Sequence, residues 1–104
     1  MEISDRLLVS DSLRKKEKKI RKTIESGKLH KNLYLLCVLE NNHSQLEIIP
    51  SLLFMQTGIK EQKGWIIGAF RDQEEVFDLL QEVSQKVYVE GVAQDLRSYF
   101  VNHL

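Results

Sequence analysis

The residues able to do chemistry are few in this chain of 104 residues. The single cysteine, Cys37, lies inside the apolar run Leu33–Leu39. A thiol attacks only as thiolate, a form favoured by exposure beside a cation or a base. Between Leu36 and Val38 it is better explained as a small buried hydrophobe. His30, His43 and His103 are scattered, and none has a metal-like spacing to another histidine, Asp or Glu on an ordered element. His43-Ser44 beside Glu47 is too common a combination to imply a catalytic triad or a zinc site. No glycine-rich phosphate loop is present. The sequence therefore offers no catalytic set, no cofactor-binding set and no metal-ligating set, and the chain is expected not to be an enzyme.

The strongest functional lead is electrostatic. Net charge is zero, yet residues 1–31 hold ten Lys/Arg against five Asp/Glu, and residues 32–104 hold five against ten. The two parts therefore carry balances of 10 − 5 = +5 and 5 − 10 = −5. Arg14, Lys15, Lys18, Lys19, Arg21 and Lys22 spread over one side of a helix expected from Asp11 to Ser26. Such a face can dock on an acidic protein surface, or attract phosphate backbones or anionic lipid. No aromatic residue is interleaved there to stack on bases, and the apolar stripe is thin for a membrane-surface helix. It can equally be a solvated face, or one answered by the acidic ridge Glu74, Asp78 and Glu82 of the same chain or a second copy.

Asp95, Arg97 and Tyr99, near Tyr88 and Glu90, form a second polar cluster. Arginine suits bidentate contact with carboxylate or phosphate, the chemistry of a ligand anchor. An ion pair tying the last helix to the preceding one explains the cluster more simply.

The elements that position these groups follow from hydrophobic periodicity. Trp65–Phe70 is an apolar run bounded by polar residues, as expected of a strand covered on both faces. Gly68 within it suggests a bulge or a close approach by a neighbour. Asp72 and Glu75 have capping-box spacing. Val76, Leu80, Val83 and Val87, widened by Phe77, Leu79 and Tyr88, form the buried stripe of a helix over 72–90 that Gly91 ends.

Upstream, Leu13, Ile20 and Ile24 are the buried stripe of the basic helix, which Gly27 stops. Three aliphatic side chains are a thin anchor for a helix of that length, so a partner surface would help hold it. Leu33–Leu39 is a second apolar strand, and Gln45–Ile49 pairs with it as a hairpin nearer the sheet edge. Pro50 is compatible with a strand end followed by a short buried helix over Ser51–Gln56. The alternative is one helix from Ser44 to Met55 kinked at Pro50. After Gly91, a short amphipathic helix carries Val92, Leu96, Tyr99, Phe100 and His103.

One domain is expected over 11–104, with residues 1–10 as an N-terminal extension that forms either a docked helical turn or a frayed end. The fold class is α+β: a small mixed three-stranded sheet packed by helices, in the order α-β-β-α-β-α-α. Leu33–Leu39 is far too short to cross a membrane, and Met1–Asp5 has no secretory character. With one unpaired cysteine, a cytoplasmic setting is expected.

The strand Leu33-Tyr34-Leu35-Leu36, the strand Trp65-Ile66-Ile67-Gly68-Ala69 and the ending Glu90-Gly91-Val92-Ala93-Gln94-Asp95-Leu96-Arg97-Ser98-Tyr99-Phe100 resemble a family of small uncharacterised bacterial proteins. The resemblance covers roughly residues 13–100. It implies a stand-alone bacterial domain and carries no statement about function.

The expected function is a small cytoplasmic protein-interaction module without catalysis. Two long apolar strands need cover on both faces, which favours self-association as a homodimer or other homo-oligomer. The alternative is a nucleic-acid-associated regulator using the basic helix over 11–26.

Overall fold

The computed structural model describes residues 1–26, 33–40, 46–56, 58, 61–89 and 100. Within them the order is β1 (Glu2–Val9), a 3-10 segment (Asp11–Lys16), α1 (Glu17–Ser26), β2 (Tyr34–Leu39), β3 (Glu47–Pro50), α2 (Ser51–Gln56), β4 (Gly64–Phe70) and α3 (Gln73–Val89). The strands form one mixed sheet in the order β1-β4-β2-β3. β1 runs parallel to β4, and β2 is antiparallel to both β4 and β3.

The central strands are buried on both sides because they are apolar at consecutive positions. Leu35, Leu36, Cys37 and Val38 are all fully buried. Alternate side chains enter different cores. Leu35, Cys37, Ile66 and Ala69 pack with Leu13, Ile20, Ile24 and the α2 residue Phe54. Leu36, Val38, Ile67 and Phe70 pack with Val76 and Val83 of α3 and with Phe100. The molecule is thus a three-layer sandwich, with α1 and α2 over one face of the sheet and α3 over the other.

A bulge in β4 makes this division possible. Leu36 pairs with Gly68 but Cys37 pairs with Ile66, so the register shifts by one residue at Ile67. The shift lets Ala69 join Ile66 in one core while Ile67 and Phe70 fill the other. The expected glycine role at position 68 is met in both of its forms, a bulge and a close approach.

α3 begins where Asp72 caps it: the Glu75 amide donates to Asp72 Oδ1 at 3.0 Å. Glu75 Oε2 is buried with no hydrogen-bond partner among the described residues. The hairpin β2–β3 is present, with β3 at the sheet edge, and a continuous helix from Ser44 to Met55 is not.

Several expectations are corrected. The sheet has four strands rather than three, because Glu2–Val9 is neither a helical turn nor a frayed end but an edge strand. The element order over the described residues is therefore β-α-β-β-α-β-α. The first helix is not uniform: Asp11–Lys16 is wound as 3-10, a common lead-in to an α-helix. Among the α2 side chains described, Ser51 and Phe54 are buried, while Leu52 and Leu53 are exposed. Phe77 lies outside the buried stripe of α3. The stops at Gly27 and Gly91, and the closing helix apart from Phe100, lie outside the described residues.

Candidate functional site

α1 is oriented by Ile20 and Ile24, both buried against the sheet. At 100° per residue, Lys18, Lys19 and Lys22 then project away from that core, with Lys18 and Lys22 adjacent at i,i+4. Lys15, Lys18, Lys19 and Lys22 are exposed, and none forms an ion pair with a described residue. Lys16, three residues after Leu13 and so on its side of an ideal helix, is exposed as well.

The two arginines of the expected surface behave differently. Arg14 Nη2 meets Asp11 Oδ1 at 3.0 Å with both side chains exposed, a contact of small energetic weight. Arg21 is half-buried and structural. Its Nη2 donates to the backbone oxygen of Asp5 at 2.9 Å and, more weakly, to Glu17 Oε1 at 3.5 Å. Arg21 therefore ties α1 to β1, and the docking face reduces to Arg14 and the lysines.

Glu74, Asp78 and Glu82 are exposed on α3, on the far side of the sheet. Packed layers stack about 10 Å apart, so two layer spacings separate this ridge from α1. That exceeds the screening length of about 8 Å at physiological salt. The ridge therefore does not answer the lysines within one chain.

Each outer face also carries an exposed apolar side chain. Leu52 on α2 is 62% exposed on the side of α1, and Phe77 on α3 is 56% exposed on the acidic side. Neither stood out in the sequence, where both sit within apolar patterns that fit a core position equally well.

Cys37 resolves as structure. Cys37 is fully buried, and its thiol is pushed up to about 12, chiefly by burial and secondarily by Glu47, its cross-strand partner. It is a core residue with no nucleophilic character at neutral pH. Trp65 is half-buried against the α3-side core.

An open groove of about 580 Å³ between β1 and α1 is lined by Glu2, Asp5, Glu25 and Glu61 around Arg21. Its one guanidinium is already engaged with the backbone of Asp5. Among the described residues, no group of three or more His, Cys, Asp or Glu could hold a metal ion. No helix among them is long and apolar enough to cross a membrane. Asp95, Arg97 and Tyr99 lie outside the described residues, as do His30, His43 and His103.

The chain matches no family model, no curated protein and no solved structure. Its own surfaces are what speak to function.

Proposed function

We propose that the chain is a small cytoplasmic protein-interaction module that acts by docking and self-associates, without catalysis of its own. The observation that carries this is the exposed lysine face of α1, which no described carboxylate on the same chain neutralises. Cations held on a short, rigid helix are suited to an acidic protein surface, where charge complementarity selects the partner and speeds encounter.

Self-association no longer follows from a sheet short of cover, since both faces of β2 and β4 are buried within one chain. It follows from the outer faces of the helices. The nucleic-acid alternative is weaker on electrostatic grounds. The six cations form a short patch on a chain that is neutral overall, and no aromatic residue of the segment could stack on a base.

Titration with labelled polyglutamate and with duplex DNA, each at low and physiological salt, tests the proposal. Binding to polyglutamate that disappears in Lys18→Glu/Lys19→Glu/Lys22→Glu supports it. Preferred binding to DNA with a steep salt slope would replace it by the alternative. Failure to bind either polyanion at low salt would remove the docking face altogether.

A further inference from the structure

We infer that one partner of the lysine face is the α3 face of a second copy, so that copies of this chain stack head to tail. The inference rests on the proposed docking role of α1 and names its partner.

Three observations converge on it. The two outer faces are opposite in sign: Lys15, Lys18, Lys19 and Lys22 on one, Glu74, Asp78 and Glu82 on the other. The chain as a whole is neutral, so its charge is separated rather than in excess, and translation of one copy onto the next brings unlike faces together. Each side of the sheet also offers an exposed apolar side chain, Leu52 of α2 on the side that carries α1 and Phe77 of α3 next to Asp78 on the other. Apolar contacts of this kind supply affinity, while charge supplies orientation.

Geometry restricts the symmetry. A two-fold dimer brings one patch against the same patch of its partner. Lysine against lysine, or carboxylate against carboxylate, would repel. Because the complementary faces lie on opposite sides of the sheet, the contact is heterologous. It either closes into a ring or extends as a stack.

The test is a charge exchange followed by analytical ultracentrifugation. One variant carries Lys18→Glu/Lys19→Glu/Lys22→Glu, the other Glu74→Lys/Asp78→Lys/Glu82→Lys. The unaltered chain is expected to gain weight-average mass at least about twofold as concentration rises at low salt, and to lose it on adding salt. Each variant alone loses the charge complementarity between its two faces and should remain monomeric. Mixed in equal amounts, the variants again present unlike faces, and association should return. If a triple variant loses its circular-dichroism spectrum, the single variants Lys22→Glu and Asp78→Lys carry the same comparison.

A monomeric unaltered chain, a variant that still associates alone, or a mixture that stays monomeric would overturn the inference. Polyglutamate binding by a chain that stays monomeric would sink only this inference and leave the docking role standing. Loss of both would sink the two together.

Discussion

Leu33 and Ser51 exchange two hydrogen bonds across the base of the β2–β3 hairpin. The Ser51 amide donates to the Leu33 carbonyl at 2.7 Å, and the Leu33 amide donates to the Ser51 hydroxyl at 3.0 Å. Both residues are buried. The pair fixes the start of β2 against the start of α2, immediately after Pro50 has ended the edge strand. Ser51→Ala leaves the Leu33 amide buried without that acceptor, at a cost of about 1–3 kcal/mol. Urea denaturation should show the loss as a lower midpoint with an unchanged slope. A change below about 0.5 kcal/mol, the range of neutral surface substitutions, would mean that the exchange does not hold the hairpin.

Gly68 owes its identity to Phe70 and Leu8. A Cβ at position 68 would stand 2.6 Å from Phe70 Cε2 and 3.2 Å from the Leu8 carbonyl oxygen. The first neighbour is a buried ring and the second is the backbone of the adjoining strand, so neither yields easily. Gly68→Ala is expected to destabilise the chain by about 1–3 kcal/mol through overpacking. Since the closer contact is the ring, Phe70→Leu in the Gly68→Ala background should cost less than Phe70→Leu alone. The thermodynamic cycle of these variants measures that coupling. Strict additivity would show that the ring is not the obstacle.

Cys37 gives the fold a particular response to alkali. Its folded value of about 12 lies above the ordinary 9.0, so the native state holds the proton that the unfolded chain releases. A raised pKa means that stability is intact below pH 9 and declines as pH rises towards 12, by at most about 1.4 kcal/mol per pH unit from this one group. Other groups titrate in that range, so the relevant quantity is the difference between the unaltered chain and Cys37→Ala. Their denaturation free energies should converge from about pH 8 to about pH 10. Parallel curves would show that the thiol is not desolvated. Labelling by a thiol reagent at neutral pH should likewise wait for global unfolding.

What the sequence disclosed is what local patterns determine. β2 and β4 are short apolar runs with polar ends, and α3 combines a capping aspartate with valines and leucines at helical spacing. These are legible without knowledge of any neighbour. The bulge was announced by Gly68 for the same reason. β1 was not legible because its apolar residues do not alternate cleanly. Ile3 pairs with Ile66 and Leu8 with Gly68, so the stretch between them is irregular. Within that stretch, the Arg6 amide donates to Ser4 Oγ at 3.2 Å. Only the edge of β4, distant in sequence, makes this segment a strand. The lysine face was legible as a face, but no property of one helix reveals which side of a sheet another helix will cover. The separation of Lys18 and Lys22 from Asp78 therefore had to come from the packing.

The same non-local dependence makes β1 part of the core rather than an ornament. Leu7 is buried among Leu13, Ile20, Ile24 and Ile66, and Arg21 Nη2 holds the backbone oxygen of Asp5 at 2.9 Å. Removing residues 1–9 takes Leu7 from that core and withdraws the acceptor from Arg21. It also opens one edge of β4, an apolar strand whose unpaired amides and carbonyls would then template association with other chains. Loss of the Leu7 side chain alone costs about 2–5 kcal/mol, a large share of the usual total stability of about 5–15 kcal/mol. The truncated chain is therefore expected to lose cooperative melting and to aggregate, whereas Arg21→Ala should fold and lose only about 0.5–1.5 kcal/mol. In Arg21→Ala, hydrogen exchange should quicken in β1 before it quickens in β2. A truncated chain that melts cooperatively at an unchanged temperature would show that β4 is a stable edge by itself.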